Sequence, residues 1–439
     1  MNTPHNILSG SVAALLRKSH LAIAAASLCF AATGYSQNIT FGPATTIAGD
    51  TDVFTLGVFN YAYDLSNSAQ TVNGVSFAAG ASTTNLGSDV TMTGFDGPNN
   101  GSAFGSAGGG TWSGLSAPYR AVLQGGNYTN GGTTATVNLN NLTTGHVYAT
   151  QVWVNDNRNL GGVNRSEVIS SSGGNSIGLD YNNTNVDGGV GQFTIGGFTA
   201  GGTSQAFTLL ANNAGSQSSQ LNALQVRDVT GIWSGATNGA WDGGTANFTG
   251  GQIFATVSGL TTSVSFADTD GFKNAVTNSN ITVAAGGASI GTVNFLNNAV
   301  NYTFNSADAN GITGGSIVNK TGTGTVIFKG ANTYTGATSV NNGILTFGNT
   351  AARSSGTTVT TAATGTVGLG VGAVSGDYSD ADVAALFNTN TLAGFNLNAA
   401  SGVAIDTTAG NFTQSTALTA ARALTKLGNN TLTLTGANT

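Results

Sequence analysis

Short runs of alternating apolar and polar residues follow one another through most of the chain. Between residues 38 and 230, the clearest of these runs are Thr136–Leu142, Val147–Val154, Gly191–Phe198 and Gln205–Leu210. Alternation with a period of two predicts half-buried β-strands, and the Gly and Asn clusters between the runs predict tight turns. This spacing is typical of antiparallel strands in a sandwich. We therefore predict an N-terminal, jelly-roll-like β-sandwich over residues 38–230, with Gly94–Gly114 as a long surface loop.

From residue 231 onward the runs are shorter and the turns more regular. Two tryptophans, Trp233 and Trp241, open this half of the chain. The alternating pieces that follow are Ser263–Phe266, Ile281–Val283, Thr292–Phe295 and Tyr302–Phe304. One short helix is predicted over Asp380–Phe387, because Ser379 can cap its first turn and Asp382 faces its positive end.

An internal repeat determines the predicted architecture of this second half. Lys320–Thr333 (KTGTGTVIFKGANT) and Lys426–Thr439 (KLGNNTLTLTGANT) share seven of 14 positions, including the closing Gly-Ala-Asn-Thr. Strands this short cannot hold a sheet alone, but stacked coils bury a continuous core. We therefore predict a parallel β-helix, or solenoid, over residues 231–439, with Val326 and Phe328 pointing inward. Because the second copy stops midway through a unit, we expect the chain to be a piece of a longer protein.

The unit Lys320–Asn349 resembles the autotransporter-associated β-strand repeat. The positions that carry the resemblance are Gly322, Gly324, Gly330, Asn332, Tyr334, Gly336 and Gly343, with Gly436 and Asn438 in the second copy. From the residues alone, Gly330 and Gly336 are expected to supply positive φ at sharp corners, and Asn332 to bond backbone and stack into a ladder.

The resemblance implies an all-β, right-handed parallel β-helix of a bacterial surface passenger, usually exported by a C-terminal membrane barrel. We find no set of long alternating strands suited to such a barrel, so we expect a longer natural chain or another export route. The implied protein is secreted or displayed at the outer membrane, monomeric, and structural or adhesive. Its implied partners are an extracellular polysaccharide or the surface of a host or neighbouring cell.

The first 36 residues have the pattern of a secretory signal peptide. Arg17 and Lys18 precede the apolar stretch Leu21–Ala32, and Gly34–Ser36 offers small residues for cleavage. The stretch is too short for a permanent membrane helix, so we expect no membrane span after signal removal. The only cysteine, Cys29, leaves with the signal. The mature chain is therefore expected to lack disulfides and cysteine-based metal sites.

Charged residues make up only 7% of the chain, against about 25% in an ordinary soluble domain. Signal removal leaves 10 basic residues against 18 acidic ones, a formal net charge of −8. Such a surface repels polyanions, which argues against nucleic acids and anionic membranes as partners.

The densest group of polar, charged and aromatic residues lies between residues 153 and 167. Its members are Trp153, Asn155, Asp156, Arg158, Arg165 and Glu167. A sugar site needs an aromatic face and a few fixed polar groups in a concavity. The surrounding stretch Gly145–Arg165 loosely resembles carbohydrate-binding sandwich domains of large secreted bacterial proteins. A polysaccharide-binding module on a β-helical stalk is therefore the alternative function. The simpler interpretation is a strand end and a polar surface loop, with an arginine paired to Glu167.

No catalytic residue and no metal site is predicted. His146 is the only histidine beyond the signal, and no Gly-x-Ser-x-Gly elbow sits in a strand-to-helix setting. A polysaccharide lyase or glycoside hydrolase is the enzyme alternative, although the basic residues after residue 231 are scattered. Asp268–Gly271 begins like a calcium loop, but Ser279 stands where the loop needs an acidic residue. We interpret it, and the pair Asp50 and Asp52, as turn caps, with structural calcium as the alternative.

Overall fold

A computed structural model describes residues 38–99, 101–159, 165–212, 218–254, 263–373 and 375–438 of the chain. The predicted signal peptide, residues 1–36, lies outside this part. The predicted all-β class is confirmed, since strands dominate and the described residues form only short helices. The α-helices are α1 (Gly110–Gly114), α2 (Ala117–Gln124) and α3 (Asp380–Ala384). No helix among the described residues is both long and apolar enough to cross a bilayer.

The first half of the described chain forms sheets in which nearly every strand pair is antiparallel. Its strands are β1 (Thr40–Phe41), β2 (Thr45–Thr46), β3 (Val58–Asp64), β4 (Gln70–Val72), β5 (Val75–Ala79), β6 (Asn85–Leu86), β7 (Val90–Thr93), β8 (Gly97–Asn99), β9 (Gly126–Tyr128), β10 (Ala135–Leu139), β11 (Val147–Val154), β12 (Ser166–Ser170), β13 (Ser176–Asp180), β14 (Gln192–Thr199), β15 (Gln205–Ala211), β16 (Gln220–Leu221) and β17 (Ala223–Asp228). One sheet has the order β1-β14-β11-β17-β3-β5-β4, with β2 also on β14, and another has the order β13-β12-β15-β10-β7-β6. Strands β16, β9 and β8 form a third, smaller sheet. The four strands predicted from alternation are β10, β11, β14 and β15.

Strand β11 is buried on both of its faces. Tyr148, Val152 and Val154 belong to the core between the two large sheets. Val147 and Trp153 point the other way, into a second core that includes residues of α2. Side chains alternate between the two faces of a strand. One face of β11 lies against the core between the large sheets and the other lies against the core that includes α2, so every residue of β11 is buried.

The prediction of a long surface loop over Gly94–Gly114 is wrong in part. This segment contains β8 and α1, and both Phe104 and Trp112 are buried. The Gly, Ser and Asn content suggested a loop, but the two aromatic side chains anchor the segment against the outer core.

The second half of the described chain forms parallel sheets. Its strands are β18 (Ala240–Trp241), β19 (Ser263–Phe266), β20 (Asn280–Val283), β21 (Thr292–Phe295), β22 (Tyr302–Ser306), β23 (Ile317–Lys320), β24 (Thr325–Phe328), β25 (Thr338–Val340), β26 (Gly343–Phe347), β27 (Val359–Thr361), β28 (Gly365–Gly370), β29 (Phe395–Asn396), β30 (Gly402–Asp406), β31 (Phe412–Gln414), β32 (Leu424–Leu427) and β33 (Leu432–Leu434). One sheet takes the even-numbered strands β18 to β32 in order, and another takes the odd-numbered strands β19 to β29. From β19 to β30 the chain therefore alternates between two sheets and adds one strand to each per coil, and β31 and β33 pair in a third sheet.

Aromatic rings from successive coils stack into a column inside this half. Ring centroids are 5.4 Å apart for Phe266 and Phe295, 5.7 Å for Phe295 and Phe328, and 6.0 Å for Phe328 and Phe347. Val326 and Phe328 are fully buried, as predicted from the repeat, while Lys329 is exposed.

The corner glycines act through close backbone approach. A side chain at Gly330 would overlap Ser306 of the preceding coil, and one at Gly336 would overlap the Ser316 backbone. Neither glycine has positive φ, so the predicted reason for them is wrong, whereas Gly343 does have φ 65°. The coils are packed too closely for a Cβ at these corners.

The predicted helix is confirmed at its start. Ser379 Oγ accepts the Asp382 N–H at 3.2 Å, and Asp382 Oδ2 accepts the Ser379 N–H at 2.9 Å, which forms a capping box. The α-helical part ends at Ala384, and the chain continues as a π-helical turn over Ala385–Thr389. Leu386 and Phe387 in that turn pack into the core of the stacked coils.

Candidate functional site

Trp153 is fully buried, so it offers no face to a sugar. Its Nε1 donates to the Tyr119 hydroxyl at 2.9 Å, and its ring packs edge-on against Phe77 at 5.7 Å between centroids. These contacts join β11 to α2 and β5. The predicted role of Trp153 in ligand binding is wrong for this conformation, and the residue is a core anchor.

Asn155 is also fully buried, and it bonds backbone on both sides. Its Nδ2 donates to the Phe104 carbonyl at 3.1 Å, and its Oδ1 accepts the Gly191 N–H at 2.9 Å. Its own N–H donates to Asn222 Oδ1 at 2.8 Å. A fully buried side chain with its amide bonded inside the fold positions loops and is out of reach of a sugar hydroxyl.

The structure brings Asp156, Arg158 and Arg165 together, as their closeness in the sequence suggested. Asp156 is almost fully buried and accepts from Arg158 Nε at 2.8 Å, from Arg158 Nη2 at 2.7 Å and from Arg165 Nη1 at 2.8 Å. The hydrogen bond to Asp156 raises the pKa of the Arg158 guanidinium. The depression beside them has a volume of about 10 Å³, room for about one water molecule. The cluster is therefore a closed ion triad and too small for a sugar ring.

Glu167 lies apart from this triad, in a fully buried position on β12. Its Oε2 accepts the Gln220 N–H at 2.7 Å and lies 2.9 Å from the Tyr181 hydroxyl, while its Oε1 has no partner among the described residues. Burial raises the pKa of the Glu167 carboxyl to about 8. The Tyr181 hydroxyl has one proton and also lies 2.7 Å from the Ser218 carbonyl. Both contacts are satisfied together if Glu167 is protonated and donates to the tyrosine. The predicted pairing of Glu167 with an arginine is not present among the three ion pairs of the described residues.

The carboxylates considered for calcium are engaged by protein donors. Asp52 Oδ2 accepts the N–H groups of Ala48 and Gly49 at 2.7 and 3.0 Å, and Asp50 Oδ1 accepts from Ser116 at 2.6 Å. In the described residues, no group of three or more His, Cys, Asp or Glu side chains is arranged to hold a metal ion.

His146 pairs with an aspartate at the end of a neighbouring strand. Its Nδ1 lies 2.6 Å from Asp228 Oδ2, and Asp228 Oδ1 accepts the Thr230 N–H at 3.0 Å. The pair joins β11 and β17 where the antiparallel half ends, which is a structural arrangement.

A concavity lies where the antiparallel half meets the stacked coils. We call it the junction cleft; its volume is about 460 Å³, within the usual range for small-molecule sites. Its lining residues are Thr40, Phe41, Gly42, Pro43, Thr45, Phe193, Ile195, Gly197, Phe272, Lys273 and Asn274. They come from β1, β2, β14 and the turn after β19, so no continuous stretch of sequence pointed to this site.

One wall of the junction cleft is built by the Asp270–Asn274 turn. Asp270 Oδ1 accepts the N–H groups of Phe272 and Asn274 at 2.9 and 2.8 Å. The turn presses the Phe272 ring onto Gly197 of β14, where any Cβ would overlap it. The Lys273 ammonium lies 5.6 Å from the Phe193 ring centroid. The acidic motif thus fixes an aromatic and a cationic side chain against the antiparallel half.

The two repeat copies share one more contact, made by the Asn of Gly-Ala-Asn-Thr. Asn332 Oδ1 accepts the Ile312 N–H at 2.8 Å, and Asn438 Oδ1 accepts the Leu418 N–H at 2.7 Å. Each acceptor reaches back 20 residues, to the coil before it. Residues 318–347 and 424–439 match the family model of the passenger-associated-transport-repeat. The expected autotransporter passenger-associated repeat is confirmed for these segments. No curated protein is significantly similar to the chain.

In the passenger-associated repeat, Asn332 also bonds the coil that follows. Its Nδ2 donates to the Ala352 carbonyl at 2.7 Å. The predicted backbone bonds are therefore present, but the partners 20 residues away are Ile312 and Ala352, so the predicted ladder of asparagines is wrong here. Lys320, the first residue of the unit, is buried, and its Nζ donates to the Gly322 carbonyl. Burial lowers the pKa of Lys320 to about 8.

Proposed function

We propose that the chain is a secreted or surface-displayed, passenger-like structural protein that serves adhesion or contact. In this proposal, residues 231–439 form a right-handed parallel β-helix that carries a jelly-roll-like β-sandwich of residues 38–230. The observation that carries the proposal is the passenger-associated repeat at residues 318–347 and 424–439, both of which lie on strands of the parallel sheets. Such stacking makes an extended scaffold without requiring charge or cofactors.

The contact between the two halves supports a role in presentation. Phe272 packs on Gly197, and Gly271 lies so close to Val229 that a Cβ would overlap it. A scaffold that holds a domain in a fixed direction needs a close-packed junction of this kind.

We also propose that the protein is not an enzyme and acts as a monomer without a cofactor. His146, Asp156 and Glu167, the side chains with the most suitable chemistry for catalysis, make structural contacts instead. The formal net charge of −6 supports partners other than nucleic acid.

Export is tested by expressing the full chain in a Gram-negative host and fractionating the cells. We expect the protein outside the cytoplasm, shortened by about 36 residues and cleaved by protease added to intact cells. A matched variant that lacks residues 1–36 should stay in the cytoplasm and be protected. Equal retention of both proteins inside the cell would contradict surface display.

Polysaccharide binding is the second candidate function, and the junction cleft is the observation that favours it. The cleft has an adequate volume and a half-buried aromatic ring, Phe272, in its wall, whereas the cluster around Asp156 is closed. If the protein binds a glycan, we place the site at this cleft and no longer at Trp153.

A further inference from the structure

We propose that the junction cleft binds one uronate residue of an acidic polysaccharide, with the sugar carboxylate paired to Lys273. This inference rests on the proposed polysaccharide-binding function and names its ligand class and site. It rests on three features of the cleft: its walls, its single charge and the way that charge is held.

The walls of the cleft suit the apolar face of a sugar ring. Phe41, Phe193 and Ile195 of the adjacent strands β1 and β14 are buried and form the floor of the cleft, while the half-buried Phe272 ring faces them from the stacked coils. The Phe272 ring offers an apolar face to the C–H groups of a ligand. The volume of about 460 Å³ exceeds the need of one ring and leaves room for the linkages on either side.

The charge of the cleft selects an anion. Lys273 is the only ionisable residue among its lining residues. The chain as a whole has a formal net charge of −6, so an acidic ligand needs a local cation to bind. The three ion pairs of the described residues all lie elsewhere, at Asp156 and Asp228.

The position of Lys273 is fixed by its backbone. Its φ is 67°, in the left-handed region that a lysine seldom adopts. The Asp270–Asn274 turn holds it there, since Asp270 bonds the N–H group on each side of Lys273. The side chain then extends across the Phe193 ring, with its ammonium beside an apolar face. A cation next to a flat apolar wall matches a uronate, which has a carboxylate on the edge of a ring with a C–H face.

Thr40, Thr45 and Asn274 supply the remaining polar groups of the lining. They are hydrogen-bonding side chains that can meet hydroxyl groups at the rim of the cleft. Thr45 Oγ1 donates to the Pro43 carbonyl at 3.4 Å and Asn274 Nδ2 to Asp270 Oδ2 at 3.1 Å, which leaves further acceptor and donor capacity on both side chains. A simple aryl carboxylate would use the wall and Lys273 but has no hydroxyl groups for these side chains.

The test is isothermal titration of the full secreted chain with a galacturonate heptasaccharide at low salt. Matched probes are maltoheptaose, which is neutral, and benzoate, which carries the charge on an aromatic ring. We expect the uronate oligomer to bind at least about tenfold more tightly than either probe, and to weaken as salt is raised. Lys273→Gln should reduce its affinity about tenfold, because a charge-assisted bond is lost. Lys329→Gln, the same change at an exposed lysine on the coils, should leave affinity unchanged.

A second variant locates the ligand. Thr45→Trp places a bulky side chain at the exposed rim of the cleft and should abolish binding without disturbing a buried residue. The proposal is overturned by equal binding of the neutral and acidic oligomers, by stronger binding of benzoate, or by uronate binding that neither Lys273→Gln nor Thr45→Trp weakens. It is also overturned if no probe binds the folded chain. Equal binding of the neutral and acidic oligomers would overturn the uronate site and leave the proposed polysaccharide-binding function standing, whereas binding of neither oligomer would count against both, so the two failures are distinguishable.

Discussion

Glu167→Gln should stabilise the protein near neutral pH. In the folded chain the carboxyl is buried, its Oε1 has no partner among the described residues, and burial raises its pKa, which favours the protonated form near neutral pH. The unfolded chain exposes Glu167, which then ionises with its ordinary pKa of 4.5, while the folded pKa is about 8. Between these values folding must take up a proton, so stability falls as pH rises and levels off above about pH 8.

The size of the effect follows from the pKa difference. Each pH unit inside the window costs about 1.4 kcal/mol. At pH 7, some 2.5 units above the unfolded value, the native glutamate therefore costs about 3 kcal/mol of unfolding free energy. Glutamine avoids this cost, because its amide is neutral and its oxygen, in the place of Oε2, can still accept from the Gln220 N–H and from the Tyr181 hydroxyl.

Denaturant unfolding of both proteins at pH 4.5, 6, 7 and 8.5 measures the difference. The stabilities should be nearly equal at pH 4.5 and diverge in favour of Glu167→Gln up to about pH 8. Asp64, whose pKa burial raises to about 6, titrates in both proteins and cancels from the difference. Two results would refute a neutral Glu167 in the folded protein. One is a Glu167→Gln variant that is less stable than the native protein at pH 7, and the other is a stability difference between the two proteins that does not change with pH.

Two further substitutions examine the stacked coils. Phe328→Ala should lower the unfolding free energy by about 3 to 5 kcal/mol, because it leaves a cavity in the aromatic column. The control Phe59→Ala removes a ring that is 44% exposed and should cost about 1 kcal/mol or less. Similar losses for the two variants in denaturant unfolding would contradict the column. Asn332→Ala leaves the Ile312 N–H and the Ala352 carbonyl unpaired between coils and should cost about 2 to 4 kcal/mol. Asn305→Ala, which removes an outward amide bonded to Asn280, should cost less than about 1 kcal/mol, and the reverse order would count against the corner role of Asn332.

The strands were predictable because their apolar residues alternate. Val147–Val154 and Thr292–Phe295 have the bounds that the pattern predicted. The repeat also showed which side of its strand faces inward, since Val326 and Phe328 lie two positions apart. These are local properties that a chain carries in its sequence.

The candidate site was not predictable because it depends on which distant segments meet. Trp153 and Asn155 were expected to bind a ligand, but α2 covers Trp153, and Asn155 is buried by its bonds to Phe104, Gly191 and Asn222. Asp270 was considered for calcium, but its carboxylate bonds the turn that directs Phe272 at β14. Alternation of apolar and polar residues predicts the two faces of a strand, but it does not predict which segment covers each face. The corner positions of Gly330 and Gly336 were predicted correctly. The reason that glycine is needed there is close contact with the preceding coil, and not a positive φ.

The central claim is that successive coils stack in register, one strand step apart. Ser265, Asn294, Asn319, Ser339, Thr360 and Asn396 are direct register partners along one parallel sheet. Pulsed electron paramagnetic resonance between spin labels, in a chain whose only cysteine, Cys29, has been removed, measures the spacing of this row. With one label at Ser265, a second label at Ser339, Thr360 or Asn396 should lie about 14, 19 and 24 Å away at the backbone, an increase of about 4.8 Å per coil. Distances that do not increase in this order would contradict the stacked arrangement.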